Sequence, residues 1–145
     1  MKEVTLEIAT ILRQKGFEEN CAKYYLLDGT LCDFTESMID DESGNMIMEY
    51  NIMSSCNRNK DLYAAIDAPL IEQVLEWLRV EKKIYVHAYY VYFVDEKTGK
   101  ENSMFFPVIQ RIGVQEKSNF ADNCDFSTWE EAILDGIKHT ILYLL

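Results

Sequence analysis

The sequence predicts an α+β fold, in which a mainly antiparallel sheet of about four to five strands carries three helices packed on one face. Three segments place apolar residues at helical spacing, and turn signals join neighbouring apolar runs that have the composition of strands. No repeated strand–helix–strand unit, as in a parallel sheet, is evident. Because no linker or low-complexity run interrupts the chain, we predict a single domain over residues 1–145.

The first predicted helix begins at a cap on Thr5 and continues to Lys15. Gly16 fits the left-handed position that ends many helices. Phe17 can then fold back on Leu12, as in a Schellman motif.

The next feature is a predicted hairpin. Asp28 and Gly29 stand between two apolar runs, which indicates a tight turn between strands near residues 22–27 and 30–35. The periodicity of residues 46–53 is mixed and only slightly favours a strand.

A second helix is predicted to begin at a cap on Asp67 or Ala68, with Pro69 in its first turn, where a missing N–H group costs nothing. Its apolar residues recur at three-and-four spacing and share one face: Leu70, Ile71, Val74, Leu75 and Leu78.

Directly after this helix the period changes to two, and Ile84–Val94 is almost entirely β-branched and aromatic. Since neither face is polar, the strand is predicted to lie inside the sheet with most of both faces covered. The even-numbered face, rich in aliphatic residues, is assigned to the helices. The odd-numbered face is expected to meet a loop, a second subunit or a ligand, and its candidate binding residues are Tyr85, His87, Tyr89 and Phe93.

The chain then turns at Gly99 and returns as an antiparallel partner strand over residues 103–113. Because Pro107 cannot donate to a ladder, this partner is predicted to be an edge strand or to be bulged there. Residues 114–126 are assigned to a loop.

A capping box of Ser127 and Glu130 is predicted to open the last helix. The side chains expected on its buried side are Trp129, Ile133, Ile137, Thr140, Ile141 and Leu144.

The formal net charge of −11 excludes several partners. Nucleic-acid affinity comes mainly from Lys and Arg that neutralise phosphates, so we expect no nucleic-acid partner and no binding to anionic lipid. The beginning of the chain does not fit a signal peptide, and no apolar run is long enough to span a bilayer, so we predict a cytoplasmic protein without a membrane partner. An acidic surface suits a basic protein partner.

Motifs for phosphate binding, dinucleotide binding, zinc proteolysis and nucleophile-elbow hydrolysis are all missing from the sequence. The four cysteines form no CxxC pair and are interpreted as reduced structural residues. His87, Cys56 and Cys124 have no metal-ligand spacing in the sequence, so a metal site assembled from them is not favoured. The acidic run 40–42 lacks the spacing of a calcium loop. We therefore predict no cofactor and no metal.

Three segments of the chain carry a resemblance: TLEIATILRQKGFEENCAKYY, APLIEQVLEWLRVEKKIYVHAY and STWEEAILDGIKHTILYLL. In sequence, order and spacing they resemble a family of short uncharacterised proteins carried in prophages and phages of Bacteroidales. The resemblance implies a cytoplasmic bacterial host. It implies no activity, so no catalytic or binding residue follows from it.

Three hypotheses of function remain. The first is a non-enzymatic accessory protein that binds another protein or associates with itself. The second is a small-molecule binder or enzyme with a pocket near Tyr85, His87 and Tyr89, the only cluster with acid–base potential. The third is a nucleic-acid mimic.

Overall fold

The computed structural model describes residues 2–33, 65–114 and 125–145, together with the backbone of residues 119–120. The chain divides into two compact units, Met1–Gln73 and Val74–Leu145, which are described separately. The elements in order are α1 (Leu6–Gln14), β1 (Lys23–Leu26), β2 (Leu31–Asp33), β3 (Ala65–Asp67), α2 (Ile71–Glu81), β4 (Ile84–Val94), β5 (Glu101–Arg111), β6 (Asn119–Phe120) and α3 (Trp129–Tyr143).

Helix α1 begins and ends as predicted. The Thr5 hydroxyl accepts a hydrogen bond from the Ile8 amide at 3.4 Å. At the other end Gly16 has φ 88°, and the Phe17 amide donates to the Leu12 carbonyl at 3.0 Å, which is the six-to-one bond of a Schellman motif. Phe17 and Leu12 are both buried, so the burial of apolar side chains stabilises the end of α1 together with the hydrogen bonds.

The predicted hairpin is confirmed in β1 and β2, which pair antiparallel. Gly29 takes φ 90° at the turn, and the Leu26 amide donates to the Thr30 carbonyl at 2.9 Å. Strand β3, which pairs with the other side of β1, was not predicted. The three strands form a sheet in the order β2-β1-β3.

Helix α2 begins later than predicted, at Ile71, so the caps assigned to Asp67 and Ala68 are wrong. Pairing with the N-terminal segment keeps the chain extended up to Leu70: the Val4 amide donates to the Pro69 carbonyl at 2.9 Å. At the true helix start, the Gln73 side chain accepts from the Leu70 amide at 2.9 Å.

The second unit is built on a long hairpin of β4 and β5. These strands pair antiparallel over eleven residues each, from Ile84 opposite Arg111 to Val94 opposite Glu101. Helix α3 packs on the even-numbered face of this hairpin at Gly136, where an added Cβ atom would lie 2.8 Å from Cγ1 of Val86. The assignment of this face to a helix is therefore right for the first part of β4.

Strand β5 is central in the order β4-β5-β6, so the prediction of an edge strand or bulge at Pro107 is wrong. Among the described residues, β6 pairs with Val108 and Ile109, and Phe126 forms a separate bridge with Phe105. Neither contact requires an N–H group at Pro107. Strand β6 also lies within a stretch that was predicted to be a loop.

The capping box of α3 consists of Thr128 and Glu131, one residue later than predicted. Ser127 and Thr128 each have a glutamate three residues later, and the structure uses the second of these two possible caps. Trp129, predicted to be buried, is exposed at the first turn. The buried side chains of α3 are Ala132, Ile133, Ile137, Thr140 and Ile141.

The α+β class is confirmed, with three helices and antiparallel strands throughout the described residues, although the strands form two sheets. The placement of all helices on one face and the single domain stay predictions. In the part of the chain that the structure describes, no helix has the length and apolar character needed to cross a membrane. The predictions for residues 46–53 and for the acidic run 40–42 lie outside the described residues.

Candidate functional site

Burial changes along β4. Ile84 and Val86 at its start are buried, whereas six of the eleven residues are exposed. Within the described residues β4 pairs only with β5, so it forms the edge of its sheet. The prediction of an internal strand with both faces covered is therefore wrong. We call the exposed residues the aromatic ribbon: Tyr85, Tyr89, Tyr90, Tyr92, Phe93 and Val94.

On the odd-numbered face, the predicted residues Tyr85, His87 and Tyr89 form a continuous row of rings. The centroids of Tyr85 and His87 are 5.1 Å apart, and those of His87 and Tyr89 are 5.9 Å apart. Tyr89 also stacks on Phe106 of β5, with centroids at 5.7 Å and planes at 16°. Phe93 lies on the same face nearer the hairpin tip and is exposed. The row therefore presents side chains whose positions are fixed by their neighbours.

His87 is partly buried between these two tyrosines. Its Nδ1 atom has no hydrogen-bond partner in the described part of the chain. Burial lowers the pKa of the imidazole below its ordinary value of 6.5, so the ring is neutral at pH 7. Because Nδ1 has no partner to orient the ring, His87 lacks the hydrogen bond that a general base normally has.

The NMR titration of His87 is expected to show a pKa below 6.5. The unfolded chain then binds a proton more readily than the folded one, so the free energy of unfolding should fall as the pH drops from 6.5 through the folded pKa. The variant His87→Gln should lose this component of the pH dependence while keeping those of the carboxylates. A folded pKa at or above 6.5 would contradict the burial described here.

The even-numbered face also carries aromatic residues, which the sequence analysis assigned to helix contact. Tyr90 lies opposite Phe105, with ring centroids at 5.2 Å, and Tyr92 follows it towards the hairpin tip. A hydrogen bond to the carboxylate of Glu101 raises the pKa of the Tyr92 phenol. Both tyrosines are more than half exposed, at 56% and 53%. The far half of the hairpin thus offers aromatic side chains on both faces.

An open depression of about 480 Å³ lies at the beginning of β4. Its lining residues are Tyr85, Gln110, Arg111, Ile112, Gly113 and Val114. The depression reaches Tyr85 but is not lined by His87 or Tyr89. The pocket expected around all three of these side chains is therefore not the one found here.

Other reactive groups do not assemble into a site within the described residues. Burial, together with the charges of Asp67 and Glu19, raises the pKa of the Cys21 thiol to about 12, so this cysteine is an inert thiol. No group of three His, Cys, Asp or Glu side chains in these ranges could hold a metal ion. Cys56 and Cys124 lie outside them.

Comparison of the chain with family models, with curated proteins and with solved structures finds no match.

Proposed function

We propose that this protein is a small acidic accessory protein of prophage or phage type, which acts in the cytoplasm by binding another protein and catalyses no reaction. The observation that carries this proposal is the exposure of the aromatic ribbon on the β4–β5 hairpin, whose strands pair over eleven residues each. Large exposed apolar patches on soluble proteins mark interaction sites.

The composition of the ribbon supports a protein partner. Tyrosine is enriched at the energetic centres of protein interfaces because it buries a large apolar area, loses little side-chain entropy and keeps a hydrogen-bonding tip. Four of the six ribbon residues are tyrosines. The net charge of −11 favours a partner with a basic rim around its apolar contact region.

The proposal is tested by capture from a bacterial lysate on the immobilised protein, with light scattering as a second measurement. We expect the wild type to bind a defined partner or itself. The double variant Tyr90→Ser with Tyr92→Ser should lose at least about 90% of this binding, as expected when central interface residues are truncated.

The matched control is Tyr143→Ser in α3, because Tyr143 is 71% exposed but lies outside the ribbon. This variant should bind as the wild type does. A wild-type protein that is strictly monomeric and captures nothing would contradict the proposed function, and so would equal loss of binding in the control.

A small-molecule site is the second candidate, because the depression beside Tyr85 combines an aromatic ring with the polar side chain of Gln110. A ligand-induced rise in the melting temperature that is lost on Gln110→Ala would favour this candidate over protein binding. Nucleic-acid mimicry stays a third prediction.

A further inference from the structure

We infer that the partner of this ribbon is a second copy of the chain, and that the outer edge of β4 pairs antiparallel with the same edge of that copy. The inference rests on the proposed function, because it takes the ribbon as a protein-binding surface and names what binds there. This pairing of β4 strands would join the hairpins of two molecules into one continuous sheet around a two-fold axis.

The outer edge of β4 lacks the usual protection against pairing with another chain. Exposed strand edges in soluble proteins normally carry lysine, proline or a bulge, which prevent pairing with another chain. Over Ile84–Val94 there is no charged residue and no proline, and the register with β5 runs through all eleven residues without interruption. Within the described residues no strand pairs with the outer side of β4. Its outward N–H and C=O groups are arranged for a further strand.

Two-fold symmetry allows a register in which the whole of β4 is paired. A two-fold axis perpendicular to the sheet places a residue opposite itself, and Tyr89 is the midpoint of Ile84–Val94. When the two-fold axis passes at Tyr89, each of the eleven residues of β4 lies opposite a residue of β4 in the second copy. In this register the exposed ring of Tyr90 comes to lie opposite the small Ala88 of the second copy.

The charged residues that flank β4 favour an antiparallel pair. Strand β4 follows the exposed basic residues Lys82 and Lys83 and is succeeded by Asp95 and Glu96. An antiparallel arrangement centred on Tyr89 therefore places the basic beginning of one strand beside the acidic end of the other, twice by symmetry. This complementarity opposes the repulsion between two chains that each carry −11, and it favours the antiparallel over the parallel arrangement.

The variant Tyr89→Lys tests the pairing, because it places two ammonium groups against each other on the axis. Tyr89 is 56% exposed, so the folded monomer can accept the lysine. Light scattering across a concentration series should show a wild-type dimer and, for Tyr89→Lys, a dissociation constant raised at least about 100-fold. The control Tyr143→Lys should dimerise as the wild type does, and circular dichroism verifies that both variants are folded.

Nuclear Overhauser effects filtered for contacts between labelled and unlabelled copies then identify the occupant of the edge. Contacts between Ala88 and Tyr90 of different copies support the inference. A wild type that stays monomeric at millimolar concentration overturns it, as does a dimer unaffected by Tyr89→Lys or a β4 edge paired within its own chain. If a monomeric wild type still captures a different protein through the ribbon, only this inference fails and the proposed function stands.

Discussion

Replacing Gly136 with valine is expected to lower the free energy of unfolding by about 2–3 kcal/mol. A Cβ atom at this position would lie 2.8 Å from Cγ1 of Val86 and 3.1 Å from Cβ of Pro107, so α3 would have to move away from the β4–β5 hairpin. The gain in helix propensity over glycine is only about 0.5 kcal/mol and does not offset the clash. Urea denaturation of the two proteins measures the difference.

The control for this substitution is the same change made in a Val86→Ala background. Removing the Cγ1 atom opens space for the new side chain, so Gly136→Val should cost less than half as much there. An equal cost in both backgrounds would show that α3 does not approach β4 at Val86.

The variant Phe17→Ala is expected to destabilise the first unit by about 3–5 kcal/mol. Phe17 is only 2% exposed, and its amide makes the bond to Leu12 that closes α1. Truncating the ring leaves a cavity beneath the helix end, whereas the backbone bond itself is retained. Thermal and urea unfolding followed by circular dichroism report the loss.

The matched control is Phe93→Ala on the aromatic ribbon, where the same truncation removes a ring that is 41% exposed. Its cost in folding stability should stay below about 1 kcal/mol. If the two variants were equally unstable, Phe93 would be part of the core and the ribbon could not be a binding surface.

The local signals in the sequence predicted local structure well. The end of α1 followed from Gly16 and Phe17, and the hairpin turn followed from Asp28 and Gly29, because each is decided by residues a few positions apart. The bounds of β4 followed from its composition alone, since an uninterrupted β-branched and aromatic run has few other uses.

Structure that depends on distant partners was mispredicted. Strand β3 has three residues and exists because β1 pairs with it, and the chain before α2 is extended because the N-terminal segment binds it. Nothing within residues 65–70 signals these partners. The two possible capping boxes at the start of α3, Ser127 with Glu130 and Thr128 with Glu131, have the same spacing, so spacing alone does not distinguish them.

The candidate site was predicted only on one face. Tyr85, His87 and Tyr89 form the expected row, but Tyr90 and Tyr92 were assigned to contact with a helix. Lengths could have revealed this error. Eleven strand residues extend roughly 36 Å, whereas the fifteen residues of α3 extend about 22 Å. A single helix therefore leaves much of the strand uncovered, and apolar composition alone does not say which part.

Amide hydrogen exchange of β4 at low and high protein concentration tests most directly whether this strand binds a second copy. We predict that the amides of β4 that point away from β5 become more protected as the concentration rises, whereas the amides of α1 exchange at the same rates. Pairing between copies would be contradicted if the β4 amides were equally protected at both concentrations, whether that protection is high or low.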